Sequence, residues 1–498
     1  MTSVTSSAAT ADAGRARRVG SQVTRIRFRR AVALMVMTLL LPGSAQLVSG
    51  RRQLGRVALR IWFCLIASVL LLLVIGLVSH SFVLWLLTNT VLLGLIRFLL
   101  MGMAVGWAFL FVDAWRLGDP LRMRRQHRLA MTGINGVLCF SVVGTLLFAS
   151  HMVTVQKDFL GTMFHAGTAT AAHDGRYNIL LLGGDSGADR WGLRPDSITL
   201  ASIDKDTGKS VLFSLPRNML NFTFPKGSVM AKQFPHGYNC NKKCLNDGQS
   251  GLRELNSLVT WTVNHKSAFK GASNAGEKAT EEAVEGITGL KINYYAMINL
   301  AGFRHLVNAV GGIKLHVRDR IPIGGIGAPI SGYVKPGYRR LNGYQALWFA
   351  RSRVAADDYS RMARQKCVME AMLHQVSPKT VMLHFADIAK ASESLLTTDI
   401  PQSEVGTFMS LAMKARSNPI RTVSFVPPEV DTIHPDIAKI HSMVSKAISK
   451  SSEGKGISKA RQHKLSHATH DESHVGGSYG DMQNGYAANQ SQDLGSAC

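Results

Sequence analysis

The stretch YNILLLGGDSGADRWGLRPDSITLASID, residues 177–204, decides the fold. YNILLLGGD and ITLASID are apolar runs of strand length, and the turn KDTGK then leads to SVLFSLP, so three strands follow one another around short connections. Downstream, strands alternate with helices. EKATEEAVEGIT (277–288) has a helical period and leads into the strand INYYAMINL. Leu300, Phe303, Val307 and Val310 lie at helical spacing before a Gly-Gly stop and the alternating strand IKLHV. After Tyr344 a strand-like stretch precedes a helix from about Ser360 to Val376. This alternation predicts an α/β sandwich over residues 174–450.

Upstream the composition changes. The 498-residue chain is 46% hydrophobic and 18% charged, and the apolar excess is concentrated between Ala31 and Val155. A hydrocarbon core takes about 20 apolar residues to cross, and spans are expected at about 57–78, 82–115 and 134–155. Residues 31–50 are short and broken by Pro42 and Gly43, and read as a re-entrant or interfacial segment. The net charge of +25 follows the same layout: residues 1–130 carry 17 arginines against three aspartates, clustered beside the apolar runs. That is the signature of cytoplasmic flanks and argues against a nucleic-acid surface. A basic cytoplasmic N-terminus (1–30) and three crossings put everything after about Gln156 outside the cytoplasm. Residues 451–498 are rich in Ser, Gly, Gln, Asn and His without an apolar period and read as a disordered tail. Cys240 and Cys244 form a C-x3-C in the external domain, where a short-loop disulfide is favoured over a metal site with His236.

Three groups of residues carry chemistry. Asp185 ends a strand at GGD, where α/β proteins bind ligands, and Asp196 follows eleven residues later, two after Arg194. Two such carboxylates suit a hard cation such as Mg²⁺. Arg217 follows Pro216 just after the third strand. In LWFARSRVAADDYSRMARQK (347–366), Arg351 and Arg353 are two apart and share a face of the expected strand, while Arg361 and Arg364 are three apart on the following helix, beside Gln365. Converging guanidiniums repel one another unless an anion lies between them, and their planar forks match phosphate oxygens. A structural ion-pair network with Asp357, Asp358 and Glu370 is the alternative.

Taken in order, NILLLGGDSG, LRPDSITLASID, VLFSLPRN, LVNAVGGIKLHV, ALWFARSR and DDYSRMARQK resemble the LytR-CpsA-Psr family over roughly Tyr177 to Ala447. The resemblance implies an extracytoplasmic α/β/α sandwich preceded by transmembrane helices. It implies a phosphotransferase that moves a glycopolymer from a polyprenyl-pyrophosphate carrier to peptidoglycan, forming a phosphodiester. Asp185 and Asp196 would be the Mg²⁺-associated carboxylates, and Arg194, Arg217, Arg351, Arg353, Arg361 and Gln365 would contact the pyrophosphate, supported by Arg364. Arg217 and Arg361 would stabilise the reacting phosphate, and Asp358 would orient or deprotonate the acceptor hydroxyl. Asn218 stands where many family members carry aspartate, and Lys366 where a second glutamine is usual, adding to the cationic surface. A lipid-pyrophosphate hydrolase and a non-enzymatic membrane-bound wall regulator are the rival readings.

Overall fold

The computed structural model describes residues 25–78, 88–164, 167–185, 194–325, 329–354, 356–375 and 396–453, with a few isolated positions elsewhere. Contacts divide the chain into two units, Met1–Asp158 and Phe159–Cys498.

In the first unit, α1 (residues 25–40) is followed by α2 (Ser44–Val48), α3 (Arg52–Val78), α4 (Thr90–Leu117) and α5 (Arg125–Met163). Among the described residues, three helical stretches, Arg52–Val78, Thr90–Arg122 and Arg125–Gly161, are long and apolar enough to cross a membrane. The chain breaks between α1 and α2 at Gly43, whose φ of +94° suits glycine, and a Cβ there would lie 2.7 Å from Ala58 Cβ and from Gly55 O. The helix expected from Phe82 instead has its described cap at Asn89, whose side chain accepts from the amides of Val91 and Leu92. The helix expected over 134–155 extends at both ends, to Arg125 and Met163.

The second unit is built on the predicted three-strand run. β1 (Arg176–Asp185), β2 (Arg194–Asp204) and β3 (Ser210–Leu215) pair antiparallel in sequence order. β4 (Tyr294–Asn299) runs parallel to β1. A hairpin-like pair follows, β5 (Ile313–Val317) with β8 (Gly337–Leu341), enclosing β6 (Ile321–Ile323) and β7 (Gly332–Val334). β9 (Leu396–Thr398) joins β4, and β10 (Arg421–Ser424) joins β3 in parallel, giving the sheet order β10-β3-β2-β1-β4-β9. The carboxyl ends of β1, β3, β4 and β10 therefore share one edge.

Strand alternation explains the layers. Leu180 and Leu182 are in register with Leu200 and Ile198 on one side and with Tyr295 and Met297 on the other. This face packs on α7 (Ala275–Thr288), through Ala279, Ala283, Val284 and Ile287, and on α12 (Ile437–Ser452), through Ile440 and Val444. The short α6 (Leu258–Asn264) contributes Leu258 to the same core. Each large aliphatic side chain fully buried there contributes about 1.5–3 kcal/mol. On the opposite face, Leu181, Ala201, Ile203 and Leu212 meet Met369 and Leu373 of α10 (Asp358–Gln375). Tyr177 and Tyr294 meet Phe408 of α11 (Val405–Arg416) edge-on, with ring centroids 5.1 and 5.5 Å away. The result is an α/β/α sandwich. A second cluster joins β5 and β8 to α8 (Leu300–Ala309), α9 (Gly343–Arg351) and α10.

One expectation is corrected. Residues 343–351 form a helix where a strand was read. The contiguous apolar triplet Leu347-Trp348-Phe349 mimics a strand, but Asn342 and Gln345 form a reciprocal capping box that starts α9. Gly343 lies against α8, with its amide donating to Asn308 Oδ1 at 2.7 Å, and a Cβ added there would sit 2.0 Å from Arg304 O. Gly343→Ala is accordingly expected to lower stability by about 1–3 kcal/mol, read as an earlier thermal transition. The expected structureless tail, 451–498, lies mostly outside the described residues. α12 reaches Ser452, Leu494 is 1% exposed and packs against Ala201, Leu212 and Ile420, and Asn489 donates to Tyr359 O at 2.8 Å.

The Cys240–Cys244 disulfide is formed, with Cα atoms 5.3 Å apart. It closes a tight loop that begins where Asn221 Oδ1 accepts the Cys240 amide at 2.7 Å. Because the closed loop is short, Cys244→Ser is expected to cost no more than about 2 kcal/mol in thermal unfolding.

Candidate active site

At the shared strand edge the β1–β2 register steps from Gly183 opposite Ser197 to Gly184 opposite Pro195, leaving Asp196 as the extra residue of a bulge. A bulge re-aims its side chain. Asp196 Oδ1 accepts from Arg217 Nη1 at 2.7 Å, and the Asp196 carbonyl accepts from Arg361 Nη2 at 3.0 Å. Asp185 closes β1 opposite Arg194, so the two aspartates lie on neighbouring strand ends; the Asp185 side chain falls outside what the structure describes.

Asp358, the first residue of α10, is the hub. It accepts from Arg217 Nε at 2.8 Å and Arg353 Nη1 at 3.4 Å, and Arg361 Nη1 lies 3.6 Å away, one helical turn on. Burial would raise its pKa, but the guanidiniums of Arg361, Arg217 and Arg353 hold it below the ordinary carboxylate value. Burial likewise pulls at Arg217, and Asp196 and Asp358 more than offset it, raising its pKa. Arg361 is only 2% exposed, and there burial wins and lowers its pKa despite both aspartates.

Two residues outside the sequence reading complete the cluster. Asn256 Oδ1 accepts from Arg194 Nη2 at 2.9 Å, and the Asn256 amide donates to Arg217 O at 3.0 Å. The pKa of Glu254 is raised by burial against the opposing pull of Arg217 and Arg194, and it also feels Asp358 and Arg353. Both residues sit by the turn Leu255–Ser257, which has no periodicity to announce it; the only sequence cue is a polar pair, Glu254 and Asn256, flanking a leucine.

Arg351 and Arg364 have described contacts away from the Asp358 hub. Arg351 ends α9 with its guanidinium 5.5 Å from the Trp348 ring, so it does not share a strand face with Arg353. Arg364 is fully buried and donates to Ser352 O, and Gln365 donates to Ala350 O at 3.3 Å. Arg364 thus ties α10 to the α9–α10 connection, and Gln365 ties it to the last turn of α9. Lys366, expected on a cationic surface, is 3% exposed, and burial pushes its pKa down to about 7.

Donors outnumber acceptors in this cluster. Nε of Arg361 and Nε of Arg194 are buried with no hydrogen-bond partner among the described residues, as is the acceptor Asn218 Oδ1. An unsatisfied buried donor costs about 1–3 kcal/mol, more when charged, so the cluster is built for an incoming acceptor. Asp196 offers a hard carboxylate oxygen of the kind Mg²⁺ takes, and Asp185 ends the neighbouring strand. Among the described residues no group of three His, Cys, Asp or Glu side chains forms a metal cluster.

Residues 151–440 match the LytR_cpsA_psr family. The chain belongs to it. Family relatives include the Biofilm regulatory protein A of Streptococcus mutans, 25% identical over 54% of this chain and 60% of that protein. The cell wall biosynthesis protein LcpA of Corynebacterium glutamicum is 24% identical over 53% of this chain and 51% of its own length. A polyisoprenyl-teichoic acid–peptidoglycan teichoic acid transferase TagU of Enterococcus faecalis is 34% identical over 28% of this chain and 43% of its own. The chain thus spans about half the length of the curated relatives it matches. Among solved structures, protein gbs0355 of Streptococcus agalactiae has a TM-score of 0.41 at 23% identity, covering 59% of this chain and 96% of that one.

Proposed function

We propose that this LytR_cpsA_psr protein transfers a glycopolymer from a polyprenyl-pyrophosphate carrier to a peptidoglycan hydroxyl, as a phosphodiester. The supporting observation is the arginine cluster of Arg194, Arg217, Arg353 and Arg361, with two buried N–H donors that have no acceptor among the described residues. The name of the TagU relatives, polyisoprenyl-teichoic acid–peptidoglycan teichoic acid transferase, gives the same class of donor and acceptor.

The acceptor oxygen attacks the phosphorus that carries the glycan. A new P–O bond forms, the P–O bond to the bridging oxygen breaks, and polyprenyl monophosphate leaves, its freed oxygen taking up the hydroxyl proton directly or through solvent. Charge grows on the bridging and non-bridging oxygens, and a preorganised guanidinium stabilises it without reorganising at the moment of reaction. Arg217 is preorganised because Asp196 and Asp358 hold two of its nitrogens. Asp358 orients this fork and, with its pKa held low, is a hydrogen-bond acceptor for the attacking hydroxyl more than a strong base. Arg353, 36% exposed at its side chain, and Arg194 meet the substrate from the rim. Asp185 and Asp196 would hold Mg²⁺, which would neutralise phosphate charge. Arg364 holds the α9–α10 connection and Gln365 the last turn of α9, and they set where Arg353 emerges. In this reading three spans anchor the chain in the cell membrane, the N-terminal arginines are cytoplasmic, and the sandwich faces the wall.

Binding separates this site from a purely structural network. Arg353→Gln is expected to weaken retention of a polyprenyl pyrophosphate by roughly tenfold, the value of one charged hydrogen bond, while leaving the thermal transition in place. Unchanged retention would remove Arg353 from the site.

A further inference from the structure

The first unit contains a cleft of about 980 Å³ between α3 and α4, open along one side and lined mainly by apolar atoms. Gly102 and Gly106, one turn apart on α4, form part of its wall, and a Cβ on either would meet nothing within 4 Å. Its mouth is polar. Arg51 and Arg52 line it beside Gln53, and Arg51 is ion-paired with Asp113, which is 3% exposed. One buried carboxylate pairs with Arg51, which is 55% exposed, while Arg52 adds a second guanidinium, so the mouth keeps a net positive charge.

Trp107 also lines the cleft. It meets Trp62 edge-on, with ring centroids 5.1 Å apart, and its indole N–H has no acceptor among the described residues. A buried tryptophan ordinarily finds one, and tryptophans at the edge of a hydrocarbon layer find it in the lipid. Trp107 lies six residues before Asp113, about 9 Å deeper along α4 at 1.5 Å per residue. From Trp107 to Phe98, at the far end of the cleft, is a further nine residues, about 14 Å, close to half of a 30 Å hydrocarbon core.

We propose that this cleft is a binding site for an anionic glycerophospholipid, with its phosphate at Arg51 and Arg52, an ester carbonyl near the Trp107 N–H, and an acyl chain along Gly102 and Gly106. Charge at the mouth selects an anionic headgroup. The N–H at ester depth selects a glycerolipid over a polyprenyl phosphate, which has no ester carbonyl. The site rests on the membrane reading of the first unit and is independent of the chemistry at the strand edge.

Native mass spectrometry of the full chain in detergent, titrated with phosphatidylglycerol, phosphatidylcholine or a polyprenyl monophosphate, tests it. Recovery in the detergent-solubilised membrane fraction checks the membrane reading separately. Phosphatidylglycerol adducts are expected to exceed phosphatidylcholine adducts, with a preference that Arg52→Gln lowers roughly fivefold, the usual effect of one arginine at an anionic surface. Trp107→Phe is expected to reduce phosphatidylglycerol adducts and leave the weaker polyprenyl phosphate adducts as they were. Equal binding of the two glycerolipids would overturn the proposal. So would polyprenyl phosphate outcompeting phosphatidylglycerol, or a lipid-free homodimer in which a second copy fills the cleft.

Discussion

Arg361→Met is expected to abolish glycopolymer transfer and to destabilise the second unit by about 3 kcal/mol, the low end for breaking a buried ion pair. The side chain is 2% exposed, donates to the Asp196 carbonyl at 3.0 Å, and stands 3.6 Å from Asp358. Its loss leaves Asp358 buried with Arg217 and Arg353 as its remaining cations, which holds the penalty to the low end. Arg217→Lys separates chemistry from folding. Lysine keeps the charge but cannot bridge Asp196 and Asp358 with a planar fork, so kcat is expected to fall about 10²–10³-fold with little change in melting temperature. A lysine variant with full turnover would mean that Arg217 serves the fold alone.

Glu281→Gln is expected to stabilise the second unit under alkaline conditions. Glu281 lies on α7 with its pKa raised to about 8, first by burial and then by Asp399, with Glu285 and Glu277 adding and Lys278 opposing. The folded pKa lies above the unfolded one, so between pH of about 4.5 and 8 the native state binds the extra proton. Stability is therefore intact below the unfolded pKa and falls as pH rises through the folded one, by on the order of 5 kcal/mol. Glutamine removes that fall. Melting curves at pH 5 and pH 9 should converge at the acid end, with the variant melting higher at the alkaline end; parallel curves would show that Glu281 is charged in the folded protein.

Much of this was legible in the sequence. The β1–β3 run and its alternation fix which leucines face α7, and the order of motifs brings Asp196, Arg217, Asp358 and Arg361 to one strand edge. Spacing says less about how side chains are used. Arg361 and Arg364 share a helix, yet one reaches Asp196 and the other the Ser352 carbonyl, a choice made by the α9–α10 connection. The strand read over Trp348 to Arg353 is lost because Asn342 caps a helix that runs to Arg351, and with the strand goes the pairing of Arg351 with Arg353. Glu254 and Asn256 reach the site only because the Leu255 amide bonds Met219 O and the Asn256 amide bonds Arg217 O, long-range contacts with no local pattern.

The most direct test supplies the full chain, in detergent with Mg²⁺, with a polyprenyl-pyrophosphate glycan and peptidoglycan fragments, and analyses the products by mass spectrometry. The account predicts a glycan joined to peptidoglycan through a phosphodiester, one polyprenyl monophosphate released per link, and no product from Arg361→Met. Release of free glycan phosphate without any peptidoglycan-linked product would contradict it.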